Sequence, residues 1–361
     1  MISVHLKWAV LIRNFLETMR FELKLDVKKV KEAQTVIRGV ADNTPLIPSF
    51  FLSNIIENEF LLKLENMQPI GAFKIRGALN AVFNLPNSTK VVTCCSTGNH
   101  GRGIAYAAAQ RGIKAVIFMS NLVPKVKIEA IKSLGAEVIL CGLDQAEAEV
   151  ACKQSVREKG YVEVSPFDDP YVIAGQGTIG LELLSQRPDL NTIILPLSGG
   201  GLAAGVALAA KSKNPNIRIF GVTMENGAAM HMSIQAGKPV DVKEDPSLAD
   251  ALGGGIGLDN TFTFPLCKNL LDGTFTVSEK EIYHAMQTLY YEDRLIAEGS
   301  CVVGIAALLA GKLPSLKGPV ATIITGRNVN MSTFTNIING RDVDLGGKII
   351  VGKQYERYNN V

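Results

Sequence analysis

The chain has 361 residues, of which 47% are hydrophobic and 20% are charged, and its formal net charge is +3. This is the composition of an ordinary globular enzyme, and the length allows two domains. The basic residues are scattered, and no apolar run approaches the about 20 residues that a membrane helix needs, so neither nucleic acid nor a membrane is expected as a partner. Six cysteines without CxxC spacing predict reduced thiols in a cytoplasmic protein.

The N-terminal residues carry apolar side chains at helical spacing, from Val4 through Trp8 to Met19. The run WAVLI is too short for a signal peptide, and charged residues interrupt the sequence that follows it. We therefore predict an N-terminal extension over residues 1–25 with the pattern of an amphipathic helix. A docking or dimer helix is favoured over a helix that lies on a membrane surface.

Strand-like apolar runs alternate with helical patterns along the rest of the chain. Helices are predicted at residues 102–111, 125–134 and 203–213. The alternation predicts an α/β protein whose mostly parallel sheets are covered by helices on both faces. Ligands bind such folds at the carboxyl ends of the strands, so the turns there are examined first. The strand-like runs are LLKLE, STKVVTCC, KAVIFM, AEVILCG, TIILPL, IRIFGV and VATIITG.

Three of these turns place small or hydrogen-bonding residues after a strand: TCCSTGNHGRGIAYAA, LPLSGGGLAAGVALAA and IITGRNVN. The glycine run in the second turn leads into a helix, and its converging N–H groups predict an anion site, most naturally for phosphate. The same run also fits the dinucleotide pattern GxGxxA, with Glu225 ending the next strand where a ribose-binding acid belongs. On this loop alone, an NAD-binding Rossmann dehydrogenase remains an alternative.

Lys74 lies within the apolar run QPIGAFKIRGALNAV. In helical register it aligns with Ala78 and Ala81, whereas Arg76 and Asn80 lie on other faces. A buried, unpaired ammonium is unfavourable, so an inward lysine needs a reason, such as formation of a Schiff base. Local spacing alone favours the other interpretation, in which the lysine reaches the surface.

Four motifs occur in order along the chain: GAFKIRGA, STGNHGRGIAYAA, SGGGLAAG and TGRN. Together they resemble the pyridoxal-5′-phosphate (PLP) enzymes of the threonine dehydratase and serine racemase family, over roughly residues 26–338. The resemblance implies the tryptophan-synthase β-like fold, fold type II, in which PLP lies in a cleft between two open, mostly parallel sheet domains. The implied division is a large PLP-binding domain, residues 26–66 and 169–361, and a small mobile domain, residues 67–168.

The resemblance also implies roles for individual residues. Lys74 would carry PLP as a Schiff base and then act as the base at Cα, with Phe73 packed beside the ring. Asn99 would bind the phenolic oxygen of the ring and Thr325 its pyridine nitrogen, and Glu298 would lie near the far side of the ring. The loop that holds the substrate carboxylate would comprise Ser96, Thr97, Gly98 and His100, and the phosphate would be held by Ser198, Gly199, Gly200, Gly201 and Leu202.

These residue types favour β-elimination. A neutral hydroxyl at Thr325 cannot keep the pyridine nitrogen protonated as a carboxylate would, so elimination is favoured over transamination. The expected substrate is a β-hydroxy amino acid, such as threonine or serine, which would give a 2-oxo acid and ammonia. The stretches QPIGAFK, ADALGGGIGLDN and GRNVNM look most similar to the hydroxyectoine-utilisation dehydratases, which adds a hydroxyectoine-derived amino acid to the candidates.

Two alternatives remain on the same scaffold. In an amino-acid racemase, Thr97 would stand where family racemases use a serine as their second acid or base. A PLP-holding or oligomer-scaffolding protein without turnover is the other alternative. It is suggested by two departures from the family pattern, Ala72 in place of serine and Arg327 in place of glycine. Arg327 would either recognise an extra acidic group of the substrate or form a salt bridge with a neighbour.

Further expectations concern metal, assembly and regulation. Glu225 and His231 are weak candidates for a divalent cation site, and no metal is expected. Too few residues follow TGRNVN for a C-terminal regulatory domain, which favours a catabolic or dedicated-pathway enzyme. The family expectation for the assembly is a homodimer.

Overall fold

The computed structural model describes residues 25–357, so the predicted N-terminal helix lies outside the described residues. Two parallel sheets dominate this part of the chain, and helices connect their strands. The strands of the larger sheet are β1 (Leu46–Pro48), β2 (Phe60–Lys63), β7 (Thr192–Pro196), β8 (Arg218–Met224), β9 (Gly273–Val277) and β10 (Val320–Ile323). Those of the smaller sheet are β3 (Val91–Cys95), β4 (Lys114–Met119), β5 (Glu137–Leu140) and β6 (Val162–Glu163). A short hairpin pairs β11 (Val343–Asp344) with β12 (Ile349–Ile350).

The strand order of the larger sheet is β1-β2-β10-β7-β8-β9, and that of the smaller sheet is β5-β4-β3-β6. Neighbouring strands in both sheets run parallel, except that β1 is antiparallel to β2. Strands β7 and β10 are buried along their whole length, because helices cover both faces of the sheet. The prediction of an α/β fold with mostly parallel sheets is confirmed.

The helices follow the strands in the expected alternation. The predicted helix at 102–111 begins three residues earlier than expected, at Asn99, because Gly98 caps it. The predicted helices at 125–134 and 203–213 are likewise present. The helices are α1 (Val27–Val36), α2 (Phe50–Ile56), α3 (Lys74–Phe83), α4 (Asn99–Arg111), α5 (Lys125–Lys132), α6 (Gln145–Lys159), α7 (Pro170–Gln186), α8 (Gly201–Lys213), α9 (Ala229–Ala236), α10 (Thr263–Leu270), α11 (Glu279–Asp293), α12 (Val303–Leu309) and α13 (Met331–Ile338).

The smaller sheet falls within residues 67–168, and every strand of the larger sheet comes from residues 26–66 or 169–361. The exact boundaries of the two predicted domains and the mobility of the smaller one remain predictions. Between residues 25 and 357, no helix is both long enough and apolar enough to cross a membrane.

Helix α3 carries Lys74 and is held between α4 and α7 by close backbone contact. A Cβ added at Gly175 of α7 would lie 2.5 Å from the carbonyl oxygen of Arg76. On the other side, a Cβ added at Gly103 of α4 would lie 3.3 Å from the carbonyl oxygen of Lys74. The distance at Gly175 leaves no room for a side chain without a shift of the backbone, and the one at Gly103 is tighter than an ordinary contact. These two glycines therefore allow α4 and α7 to pack closely on α3.

Candidate active site

Lys74 is the first residue of α3, and its side chain points inward. Its Nζ donates a hydrogen bond to the carbonyl oxygen of Pro166 at 2.6 Å and lies 5.5 Å from the centroid of the Phe73 ring. No carboxylate pairs with this amine among residues 25–357. Burial therefore lowers the pKa of Lys74 to about 8. The amine is suited to nucleophilic attack, because a substantial fraction of it is neutral near physiological pH.

The motifs around Lys74 and Thr325 pair with each other, although they are far apart in the sequence. The backbone N–H of Phe73 donates to the carbonyl oxygen of Thr325 at 2.9 Å, and Ala72 forms an antiparallel bridge with Gly326. Thr325 is buried and lies two residues after the end of β10. The lysine and the predicted partner of the pyridine nitrogen therefore lie on adjacent, hydrogen-bonded segments.

The glycine loop lies close to Lys74, because the segment of Pro166 and Phe167 contacts both of them. Phe167 follows Pro166, and a Cβ added at Gly199 would lie 2.3 Å from the ring of Phe167. Gly200 has a φ of +90°, and Gly201 begins α8. The first N–H groups of a helix have no partner within the helix, so this loop presents donors and a positive dipole end to an anion. The compact glycine cradle fits a phosphate group.

Glu298 connects the turn of the STGNH motif with the turn of the TGRN motif. Its carboxylate is buried and accepts from Asn99 Nδ2 at 3.0 and 3.1 Å, and from the backbone N–H of Asn328 at 2.8 Å. Burial raises the pKa of Glu298. Asn328 also donates from Nδ2 to Asn99 Oδ1 at 2.6 Å. Asn99 therefore turns its oxygen toward Asn328 and its Nδ2 toward Glu298. The phenolic oxygen of PLP would accept from Nδ2 and share that donor group with the carboxylate.

The substrate-loop residues lie at the end of β3 and the start of α4. Ser96, Thr97 and Gly98 are partly exposed there, and Ser96 Oγ accepts from the backbone N–H of Gly98 at 3.3 Å. His100 is buried, and burial lowers its pKa to about 3, so its ring is neutral. His100 Nε2 lies 2.9 Å from the carbonyl oxygen of Val164, so Nε2 carries the proton and donates. The ring therefore has no second N–H for a carboxylate, and only the backbone of His100 can contribute a donor.

The weak metal candidates are engaged by other groups. Glu225 lies 3.3 Å from the ammonium of Lys312, which also contacts Glu281 at 2.7 Å. His231 Nδ1 lies 2.8 Å from Thr274 Oγ1, and its Nε2 lies 2.9 Å from the amide nitrogen of Gln235. Among residues 25–357, no cluster of three or more His, Cys, Asp or Glu side chains could hold a metal ion.

Arg327 lies beside the paired motif segments and its side chain is exposed. Its backbone N–H donates to the carbonyl oxygen of Gly71 at 2.9 Å, and its Nη1 lies 3.8 Å from Met67 Sδ. Within the part of the chain that the structure describes, no carboxylate forms a salt bridge with Arg327. The predicted salt bridge between Arg327 and a neighbouring residue is therefore not found among residues 25–357. The other predicted role, recognition of an extra acidic group of the substrate, remains a prediction.

The sequence pattern missed a buried ionic cluster directly behind Lys74. Arg76 is fully buried and pairs with Glu65 at 2.8 Å and with Glu182 at 2.6 Å. Lys63 completes the cluster with a 2.7 Å contact to Glu182. Although burial opposes the charged state of Arg76, the two carboxylates raise its pKa. The cluster connects β2, the turn after it, α3 and α7, and therefore anchors the helix that begins with Lys74.

Two further residues at the site could not be identified from the motifs. Cys301 lies with its Sγ 3.1 Å from Thr325 Oγ1, and Pro166 accepts the hydrogen bond from Lys74. Neither lies within one of the four motifs. A cysteine and a proline have many structural uses, so only their contacts in the fold indicate a connection with the site.

Comparisons with known proteins agree with this geometry. A Sinorhizobium fredii protein, provisionally named as a threonine dehydratase, is 46% identical over 318 residues, which are 88% of this chain and 96% of that protein. The L-threonine ammonia-lyase of Thermotoga maritima is 39% identical over 329 residues, which are 91% of this chain and 81% of that enzyme. The structure of maize serine racemase matches with a TM-score of 0.82 at 35% identity, covering 86% of this chain and 96% of that one.

Residues 37–326 match the family described as pyridoxal-phosphate dependent enzyme, so fold and site together define a PLP enzyme of fold type II. The chain belongs to this family, in the group that contains the threonine dehydratases and serine racemases. The predicted cofactor, PLP, is confirmed, and the NAD alternative for the glycine loop is set aside. The predicted enzyme class, a PLP-dependent lyase of the threonine dehydratase type, is likewise confirmed.

Proposed function

We propose that this protein eliminates the β-hydroxyl of a β-hydroxy amino acid and releases a 2-oxo acid and ammonia. The observation that carries the proposal is the inward amine of Lys74, whose pKa is lowered to about 8 and which has no acidic partner in the described chain. Around it lie the glycine cradle, the amide of Asn99 and the hydroxyl of Thr325. These groups suit the phosphate, the phenolic oxygen and the pyridine nitrogen of one PLP molecule.

In this proposal, each group of the chain has a separate task. Bound PLP supplies the electron sink that makes the Cα–H of an amino acid acidic. Lys74 would hold the cofactor and then accept the proton from Cα, and its lowered pKa enlarges the neutral fraction of the amine that can do so. The backbone and hydroxyl donors of Ser96 and Thr97 would orient the substrate carboxylate, with the Cα–H bond perpendicular to the ring. The N–H groups of Gly199–Leu202 would hold the phosphate.

The substrate is proposed to be threonine or serine, with a hydroxyectoine-derived amino acid as a further candidate. The activities named for the relatives favour threonine, because they include an L-threonine ammonia-lyase. A panel of these amino acids, assayed separately for ammonia and for 2-oxo acid, tests the proposal with the purified holoenzyme. Equal release of both products in the wild type, and of neither in a Lys74→Ala variant, is expected. Turnover without ammonia would contradict the proposal.

An amino-acid racemase is the second candidate function. The similarity to the structure of maize serine racemase supports it, and Thr97 would act as the second acid or base. Chiral chromatography after incubation with L-serine or L-threonine distinguishes the two functions. Accumulation of the D-enantiomer without 2-oxo acid would replace the lyase with the racemase.

The assembly is proposed to be a homodimer in the cytoplasm. All six cysteines are free, which suits a reducing compartment. Met67 and Ile296, which are 50% and 39% exposed, offer apolar surface for a second copy. Light scattering coupled to size-exclusion chromatography gives the mass directly, and a monomer at micromolar concentration would contradict the dimer.

A further inference from the structure

Asp168 accepts hydrogen bonds from three consecutive backbone N–H groups at the start of α10. Its Oδ2 accepts from Thr261 at 2.7 Å, and its Oδ1 accepts from Phe262 and from Thr263 at 2.8 Å each. Thr263 is the first residue of α10, so the carboxylate also lies at the positive end of the helix dipole. Hydrogen bonds to a carboxylate are roughly twice as strong as those between neutral groups, so this contact holds Asp168 firmly to α10.

The three donors belong to a loop whose shape is set by its own side chains. Asn260 donates from Nδ2 to the carbonyl oxygen of Ile256 at 3.0 Å and to Thr263 Oγ1 at 2.8 Å, and its Oδ1 accepts from the backbone N–H of Phe264 at 2.8 Å. The loop includes the end of the stretch ADALGGGIGLDN, to which the proposed function gives no task. Asp168 therefore binds a donor set that other contacts already hold in place.

The two residues before Asp168 contact both ends of the predicted cofactor site. The carbonyl oxygen of Pro166 accepts the hydrogen bond from Lys74 Nζ at 2.6 Å. The ring of Phe167 packs on the glycine loop, where a Cβ added at Gly199 would lie 2.3 Å from it. Three consecutive residues thus contact the lysine amine, the glycine loop and α10.

Helix α10 meets the same glycine loop from another side. A Cβ added at Gly200 would lie 2.9 Å from Cys267 Sγ and 3.0 Å from the Cβ of Thr263. Thr263 and Cys267 are both fully buried. The contacts therefore form a closed ring, which runs from Asp168 through α10 to the glycine loop and back through Phe167. Supporting contacts of this kind hold a binding site in one geometry.

We propose that Asp168 is a positioning residue that sets the separation between the Lys74 amine and the glycine loop, so that one PLP molecule can bind to both. The inference rests on the proposed place of the phosphate in that loop. Two groups that bind the same small ligand reinforce each other only when their separation matches it. The carboxylate acts through Pro166 and Phe167, while its own hydrogen bonds are made with the start of α10.

The consequence is an advantage of phosphate that depends on Asp168. In the wild type, PLP should attach to Lys74 more tightly than pyridoxal, which has the same aldehyde and no phosphate. Asp168→Ala removes the contact with α10, so the segment and the glycine loop can shift against each other. We expect attachment of PLP to weaken about tenfold or more, the effect of losing one charge-assisted hydrogen bond. Attachment of pyridoxal, which uses the lysine alone, should change by less than about threefold.

The test is titration of the apo-protein with PLP and with pyridoxal, measured by absorbance of the lysine-bound chromophore after subtraction of the signal from a Lys74→Ala variant. The ratio of the two affinities should fall in Asp168→Ala. It should fall less in Asp168→Asn, which keeps one oxygen for Phe262 and Thr263. An unchanged ratio in Asp168→Ala would overturn the inference, as would a wild type that attaches both ligands equally well. If Asp168→Ala does not fold, an unchanged ratio in Asp168→Asn overturns it.

Two controls separate Asp168 from an ordinary helix cap and from the proposed function. Asp144→Ala removes a carboxylate that caps α6, where it accepts from the backbone N–H of Glu147 at 2.8 Å, and should leave the ratio unchanged. An equal fall in Asp144→Ala would contradict the inference. If Gly199→Ala weakens PLP binding and Asp168→Ala leaves the ratio unchanged, only the role of Asp168 fails. If the wild type attaches neither ligand, the proposed function fails and the inference fails with it.

Discussion

The amine of Lys74 and the carbonyl oxygen of Pro166 lie 2.6 Å apart, which connects the start of α3 to the segment that packs on the glycine loop. A carbonyl partner stabilises an ammonium much less than a carboxylate would, so burial dominates. The pKa of Lys74 is therefore about 8, whereas that of an ordinary lysine is 10.5. Near neutral pH, the neutral form of this amine is roughly 300-fold more abundant than that of an exposed lysine.

The first prediction concerns the pH dependence of cofactor attachment. The neutral amine is the nucleophile, so the rate at which apo-protein binds PLP should rise about tenfold per pH unit below pH 8 and level off above it. Stopped-flow absorbance of the lysine-bound chromophore measures this rate. A rate that keeps rising steeply to pH 10 would show that the pKa of Lys74 is not lowered. Lys74→Ala should give no chromophore at any pH.

The second prediction concerns the glycine cradle. Gly199→Ala would place a methyl group 2.3 Å from the Phe167 ring, so either the ring or the loop must shift. Overpacking of this kind costs about 1–3 kcal/mol, and we expect much of it to appear as weaker PLP binding, measured by titration of apo-protein. Gly255→Ala is the matched control, since no atom lies within 4 Å of its added Cβ and its φ is not positive. Equal affinities in the two variants would argue against a role for Gly199.

The third prediction concerns the ionic cluster behind the site. Arg76→Met would leave the carboxylates of Glu65 and Glu182 buried without their main partner. Breaking a buried pair in this way costs about 3–5 kcal/mol of the free energy of unfolding, which urea denaturation can measure. Lys114→Met is the control. It breaks the exposed pair with Glu137 and should cost at most about 1 kcal/mol. Similar losses in the two variants would show that the buried cluster does not anchor α3.

Much of the fold follows from local pattern. The apolar run TIILPL became the fully buried β7, because a parallel strand covered on both faces needs no polar alternation. Glycines after strands marked the turns that carry the site. Helix α4 begins at Asn99, three residues before the predicted start. The residues Asn99, His100 and Gly101 are typical of a turn, and the sequence alone does not show that Gly98 is the N-cap.

The contacts behind the site were less predictable, because they join residues that are distant in the sequence. Arg76 lies off the small apolar face of α3, and helical spacing does not show that Glu182 of α7 approaches it. Cys301 lies 24 residues before Thr325, in no motif, so its contact with the hydroxyl depends on how the end of β10 packs. Pairings of this kind are set by tertiary packing, which local propensity does not report.

The fourth prediction concerns metal. Lys312 places its ammonium between Glu225 and Glu281, so a divalent cation would have to displace a bound positive charge. We expect that EDTA will leave both the rate of 2-oxo acid release and the melting temperature unchanged, and that added Mg²⁺ will not restore or raise either. Loss of activity in EDTA with recovery in Mg²⁺ would contradict this. Lys312→Met tests the reason directly, because the two carboxylates should then gain Mg²⁺ affinity.

The last prediction concerns Arg327, a cation beside the paired segments of the site that has no carboxylate partner in the described chain. If it recognises an extra acidic group, Arg327→Ala should lower kcat/KM for 3-hydroxyaspartate about tenfold or more, the effect of losing one charge-assisted hydrogen bond. The value for serine should change little, because serine has no second carboxylate. Arg157→Ala, which removes an exposed arginine on α6, controls for net charge. Equal losses for both substrates, or no turnover of the dicarboxylate by the wild type, would contradict the assignment.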